Sequence, residues 1–276
     1  MSLLRINNNI SALNTQRNLN VNSFNLSKSL QKLSSGFRIN TASDGPADLI
    51  ISEGLRGQIS GLKAAIRNTQ EASNYLGIAE GALKEVSDLL VSARALAVHA
   101  ANEGVVTAEQ IAADQSELDN VVATIDRIAA VTRFAGDAVF NPAADVSFQI
   151  GEGGTNNDQV TIDNSALSLG TAALSLGAID LTASAASAII AIDNAISVVA
   201  TRRGILGAFI KNTLETNINS LSVSLENVTA TESYIRDANM AEETSNFTKN
   251  QILVQAGVAM LAQSNVASQS VLQLLG

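Results

Sequence analysis

Leu55, Ile59, Leu62, Ile66, Thr69, Ser73, Leu76, Ala79, Leu83, Val86, Leu90, Ala93 and Ala97 follow one another in steps of three and four residues. That spacing puts all of them on one side of a helix. The stretch opens at Asp44-Gly45-Pro46, a helix-start signal in which Pro is tolerated in the first turn. It closes at Asn102-Glu103-Gly104. A helix from Pro46 to about Ala101 is roughly 80 Å long at 1.5 Å per residue. This one stretch makes the chain mainly α.

Working outward, Thr107 and Gln110 read as a capping box for a second helix carrying Ile111, Leu118, Val122, Ile125 and Ile128. Alternation then appears at Val146, Phe148 and Ile150, and again at Val160 and Ile162, across the turn-rich Gly151–Asp158. That pattern predicts a β-hairpin at about 146–162. Residues 163–184, with ALSLG at Ala166–Gly170 and again at Ala173–Gly177, read as a short and loosely ordered outer connection. From about Ala185 a second long helix follows through Ile189, Ile192, Ile196, Val199, Leu206 and Ile210. Its stripe then shifts to Leu214, Ile218, Leu221, Leu225, Val228 and Ile235.

Both ends are helical in spacing as well. Ile6, Ile10, Leu13, Leu26, Leu30, Leu33 and Phe37 mark the first, and Phe247, Val254, Val258, Leu261, Leu272 and Leu275 the last. Around the last stripe lie Gln, Ser, Asn and Ala with hardly any charge, so this helix is expected to be covered by other protein on most sides. The expected fold is a long antiparallel helical coiled-coil rod with one small β-hairpin region. Rods of this kind expose much surface as single copies, so lateral assembly is expected.

Composition removes whole classes of function. Among 276 residues there is no Cys, which excludes disulfides, thiolate metal sites and cysteine nucleophiles. One His, His99, leaves little general-base chemistry near neutral pH. The net charge of -9 argues against a nucleic-acid partner. Residues 1–67 carry eight basic and three acidic residues, while the rest carries nine basic and 23 acidic ones. No secretory signal core follows Met1, and the apolar stretch Ile252–Ala262 is too short to span a bilayer. Membrane insertion is not expected. Gly151-Glu152-Gly153-Gly154 lacks the Lys-Ser/Thr of a phosphate loop and opens no helix, so it reads as a hairpin turn. No cluster has metal-ligand spacing. No cofactor is expected, and nothing in the sequence has the arrangement of an enzyme.

The ends resemble a known family closely. Arg5-Ile6-Asn7-Asn8-Asn9-Ile10-Ser11-Ala12-Leu13-Asn14-Thr15, LSSGFRIN at Leu33–Asn40, Asp44–Glu53 and Gln58-Ile59-Ser60-Gly61-Leu62 are similar to the start of bacterial flagellins. Ile235–Glu243, QILVQAG at Gln251–Gly257, Met260-Leu261-Ala262-Gln263 and Ser270–Leu275 are similar to their end.

The resemblance implies a structural subunit of the extracellular flagellar filament, serving swimming motility. Residues 1–45 and 236–276 would form an inner coiled-coil domain, and 46–235 a rod layer. Inner assembly would rest on Ile6, Ile10, Leu13, Leu26, Leu30, Leu33, Phe247, Val254, Val258, Leu261, Leu272 and Leu275. The rod-layer core would hold Leu55, Ile59, Leu62, Ile66, Leu83, Leu90, Leu118, Ile125, Ile196, Leu206, Leu221 and Leu225.

Implied partners are further copies of the chain, the flagellar type III export apparatus, a flagellin chaperone, and the filament cap and hook-junction proteins. Flagellins sensed by the vertebrate Toll-like receptor carry Gln-Arg-Val-Arg-Glu-Leu. The matching stretch keeps Arg94 and Leu96 but has Ser92 and Ala95 in place of the first Arg and the Glu. Asp48 and Ile50 also depart from the family, which usually has Gly and Ala there. A hook–filament junction protein shares the N-terminal pattern but does not usually end in Val-Leu-Gln-Leu-Leu. A membrane-active helical protein is a further alternative, which would permeabilise liposomes instead of forming filaments.

Overall fold

The computed structural model describes residues 9–102, 104–177 and 179–275, with side chains described as far as residue 266. Seven α-helices are described: α1 Ile10–Ser35, α2 Pro46–Ala100, α3 Ala108–Val131, α4 Thr171–Leu174, α5 Leu181–Phe209, α6 Thr216–Arg236 and α7 Met240–Leu275. A π-helical turn, Ile210–Glu215, joins α5 to α6 without a break. Two antiparallel pairs lie between α3 and α4. One is β1 Arg133–Phe134 with β2 Asp137–Ala138; the other is β3 Val146–Gln149 with β4 Gln159–Ile162, in register from Val146↔Ile162 to Gln149↔Gln159. The fold is mainly α, built on long paired helices with one small β-hairpin region.

The helix boundaries follow local chemistry. Asn9 caps α1 by accepting from the Ala12 N–H, and Gly36 closes it in the left-handed conformation (φ 77°), its N–H reaching Lys32 O. Residues with a Cβ adopt that conformation at a cost, which is why Gly stands there. Thr107 and Gln110 form the full reciprocal capping box of α3. Asp180 caps the first turn of α5, but Ser184 is extended (φ -163°, ψ 96°) and its hydroxyl accepts from the Ser187 N–H. Regular helix therefore begins afresh at Ala185.

The chain packs as two compact units, 1–57 with 227–276 and 58–226, and the division falls inside α2 and α6. In the second unit α2 contributes Leu62, Ala65, Thr69, Ala72, Leu76, Ala79, Leu83, Val86, Leu90, Ala93, Ala97 and Ala100, all buried. The steps alternate between three and four throughout, the seam of a coiled coil. Ile66 and Ser73, read from sequence as seam positions, are half-buried and flank it, and alanines one residue earlier take their place. Alanine is small and carries little hydropathic weight, so the pattern passes over it, yet it lets helix axes approach closely. Ile59 is half-buried in this unit, and Leu55 likewise in the other.

The facing stripe of α5 is Ala185, Ala188, Ile192, Ala195, Val199 and Leu206. Arg94–Asp193 and Arg203–Glu80, each closing at 2.6 Å, show that α2 and α5 run antiparallel. By length and composition the continuous Leu181–Arg236 helix could cross a bilayer. In this protein its α5 stripe instead forms core. Leu118, Ile125 and Ala129 of α3 close the core from a third side, and Ile196 packs against it. Leu221 and Leu225 on α6 are half-buried. Tyr75 ties the strands in, donating to Val139 O at 3.1 Å with its ring edge-on to Phe134 and Phe148.

Segment 163–184 is held down at many points. Both ALSLG copies insert alternate leucines, Leu167 and Leu169 and then Leu174 and Leu176, and all four are buried. The Asn141 side chain brackets Leu169, accepting from its N–H and donating to its carbonyl. Two leucines two residues apart fit neither helical nor extended strand spacing over a useful length, so sequence pattern alone reads the segment as a loose loop.

Candidate assembly surface

In the unit formed by 1–57 and 227–276, α1 and α7 pair antiparallel. Asn9 meets Ser264 through two hydrogen bonds, and Lys32 meets Glu243 at 3.5 Å. Midway, the position of a Cβ on Gly257 lies 3.3 Å from Leu19 Cδ1, so the missing side chain is the socket into which Leu19 fits. The α1 seam runs Ala12, Thr15, Leu19, Asn22, Leu26, Ser29, Leu33, and that of α7 runs Glu243, Phe247, Asn250, Val254, Gly257, Leu261, Ser264. Both keep the three–four alternation of a coiled coil. More than half of these residues are polar or small, so the seam buries little apolar surface.

Further large apolar residues face away from the seam. Ile10 (52% exposed), Leu13 (70%), Val21 and Phe24 (69%) form a second stripe on α1, turned away from the seam. Ile252, Leu253, Val258, Met260 and Val266 are exposed on α7 as well, spread around the helix outside its seam. The residues expected to carry inner assembly thus fall into two sets. Leu26, Leu33, Phe247, Val254 and Leu261 sit in the seam, while Ile10, Leu13, Leu30 and Val258 face outward. Ile6 and the side chains of Leu272 and Leu275 lie outside the described residues. Sequence reading misses Val21, Phe24, Ile252 and Met260; for Val21 and Phe24 the signal was a second stripe on α1, 10–13–17–21–24, out of phase with the first. A helix apolar on opposite faces has more partners to cover than one seam supplies.

A clasp closes the same unit. Ala238 N donates to Gly36 O at 2.8 Å and Arg38 N to Arg236 O at 2.7 Å, pairing the two chain segments edge to edge. The Arg236 guanidinium lies 4.9 Å over the Phe37 ring and donates to Glu53 at 2.8 Å. Arg38 reaches Asp48 at 3.0 Å and the Ile235 carbonyl at 2.7 Å. Asp48, a departure from the usual Gly, therefore supplies an anchor for Arg38.

Asp44 ties α1 to the start of α2. Its carboxylate meets Lys28 at 2.8 Å and accepts from Thr41 and from the Asn40 N–H. The Lys28 contact, reinforced by Thr41, holds its pKa well below the ordinary 3.8, and Arg236 with Arg56 lowers that of Glu53 in the same direction. A carboxylate whose folded pKa is depressed stabilises the fold above its unfolded value and loses that contribution as pH falls through and below it. Asp44→Asn should thus lower the melting temperature at pH 7, and the gap from the parent should begin to narrow below about pH 4 and close only as the pH falls through the depressed folded value. A gap that stays constant from pH 7 to pH 3 in calorimetry would show that Asp44 is not an anchor.

Elsewhere the chemistry is closed on itself. Asp158 accepts from the Thr155 N–H and hydroxyl, and Gln149 donates to the Gly151 and Gly153 carbonyls, locking the glycine-rich hairpin tip. His99 Nδ1 contacts Asp114 at 2.6 Å. No group of His, Asp and Glu suited to a metal ion occurs among the described residues. In the receptor-like stretch, Ser92 and Ala95 are exposed, Leu96 is half-buried, and Arg94 is engaged by Asp193.

Two family models match most of the chain: the bacterial flagellin N-terminal helical region over 6–145 and the bacterial flagellin C-terminal helical region over 189–275. The chain belongs to the bacterial flagellin family. It is 41% identical to the flagellin of Bacillus subtilis over 304 residues, covering 99% of this chain and 100% of that one. It is 42% identical to the flagellin of Halalkalibacterium halodurans over 271 residues, covering 98% and 99%. A solved flagellar hook-associated protein from Vibrio parahaemolyticus shares the fold at 17% identity, with a TM-score of 0.58 over 70% of this chain and 99% of that one. As a flagellin it is a self-assembling, non-catalytic structural subunit of the extracellular flagellar filament.

Proposed function

We propose that the outward stripe of α1 and the exposed apolar residues of α7 are the surfaces by which copies of this flagellin polymerise, with residues 1–45 and 236–276 forming the inner layer and 46–235 the outer one. The observation that carries this reading is the exposure of large apolar side chains on both helices of a pair whose own seam is largely polar or small. Leu26, Leu33, Phe247, Val254 and Leu261 would hold each pair together, and Ile10, Leu13, Leu30 and Val258 would bind neighbouring pairs. The buried α2, α3 and α5 positions would keep the outer layer rigid. Polymerisation would serve swimming motility.

Export through the flagellar type III apparatus, delivery by a flagellin chaperone, and contacts with the filament cap and hook-junction proteins complete the proposed path. The polar seam supports it, since a weakly held pair opens readily for passage in an unfolded state. Ser92–Leu96 is proposed as a weak receptor epitope.

Purified protein seeded with filament fragments should elongate them in negative-stain electron microscopy. Seeds that do not grow across a range of protein and salt concentrations would contradict self-polymerisation.

A further inference from the structure

Beside the clasp lies a cleft of about 600 Å³ whose lining includes Lys32, Arg38, Tyr234, Asp237 and Glu242. Its two cations are occupied, Lys32 by Glu243 and Arg38 by Asp48. Asp237 accepts from the Ser233 hydroxyl but has no cationic partner among the described residues, and Glu242 has none either. Tyr234 stands 89% exposed, an aromatic face with nothing over it. Unpaired carboxylates beside an open aromatic ring suit a guanidinium, which can donate a forked hydrogen bond to a carboxylate and stack on the ring together.

A guanidinium without a carboxylate is present in the same unit. Arg17 is exposed and, among the described residues, bonds only the Asn14 side chain one turn away, at 2.9 Å. It lies between Leu13 and Val21, within the outward apolar stripe proposed above to meet other copies. Covering that stripe would strip water from Arg17, and a charge so buried needs an opposite charge on the covering surface. Within one copy the two sites are far apart. The antiparallel register sets Leu19 against Gly257, whereas Glu242 lies in the first turn of α7, about 22 Å away at 1.5 Å per residue.

We infer that Arg17 of one copy inserts into the Tyr234–Glu242 cleft of a second copy and pairs with Glu242, setting the axial offset between copies. This rests on the polymerising role of the outward stripe and names the contact that would fix its register. Arg17→Glu and Glu242→Arg should each raise the critical concentration for seeded growth about tenfold, as the loss of one well-placed pair implies. Each should leave the melting temperature of the unassembled chain unchanged. Mixed in equal amounts, the two variants should grow together, because the glutamate at 17 on one meets the arginine at 242 on the other. The doubly reversed chain should grow alone.

Single variants that grow like the parent would overturn the pairing while leaving polymerisation intact. So would poor growth by the singles without recovery in the mixture or in the double variant. A parent that fails to elongate seeds would overturn the polymerisation reading and this inference with it.

Discussion

Leu13→Asp combined with Phe24→Asp is expected to abolish filament growth and to leave the melting of the unassembled chain unchanged. Both side chains are more than two-thirds exposed, at 70% and 69%, so neither contributes packing within one copy. In a polymer each buried apolar side chain contributes about 1.5–3 kcal/mol, repeated at every subunit. An aspartate forced into the same place adds the desolvation of an unpaired carboxylate. Leu26→Asp, in the seam, should behave differently and lower the melting temperature as well as growth. Electron microscopy and calorimetry on the same preparations separate the two. Filaments of normal length from the Leu13/Phe24 variant would remove the outward stripe from the assembly surface.

The second large effect is on host recognition. Restoring Ser92→Arg and Ala95→Glu together should raise receptor signalling by the monomer about thirtyfold or more, given roughly 2 kcal/mol for a lost arginine anchor and 1.4 kcal/mol per factor of ten. An arginine can make forked, charge-assisted hydrogen bonds that Ser92 cannot. Ser92 instead turns its hydroxyl back to the Asp88 carbonyl of its own helix at 3.2 Å. The one arginine retained is also engaged: Arg94 donates to Asp193 at 2.6 Å, and a receptor carboxylate would have to displace that partner. A reporter-cell dose–response with parent and double variant decides it. Equal potency of the two would show that these side chains do not limit recognition.

Long periodic elements were legible because period is a property of spacing, which survives any arrangement in space. Pro46, Thr107 and the 146–162 alternation mark real boundaries for the same reason: each is a local chemical demand met by neighbours in sequence. The outward stripe was harder. Ile10 and Leu13 were visible as apolar, yet nothing in their spacing says which of two opposite faces meets α7, since Leu19 and Leu26 repeat just as regularly. The clasp was not legible at all. Arg38, Asp48, Glu53 and Arg236 are ordinary surface residues in sequence, and the contacts of Arg236 with Glu53 and of Arg38 with the Ile235 carbonyl join segments almost two hundred residues apart.

The π turn at Ile210–Glu215 has a consequence for how this gene can change length. Along α5 and α6 the core positions run Val199, Arg203, Leu206, Ile210, Leu214, Asn217, Leu221, and the two successive steps of four mark one surplus residue. A π turn absorbs such a residue by widening locally, so the faces before and after it stay in phase. Losing Lys211 or Asn212, both exposed, would tighten the turn to ordinary helix and leave Leu206 and Leu221 facing as they do now. Losing Val223 instead would swing the following core positions by about 100°. Melting temperatures of the two deletions should differ accordingly, and equal losses would show that the surplus is not confined to the turn. From Leu62 to Ala100 helix α2 has no such joint, so its reading frame of contacts admits substitution but not insertion or deletion.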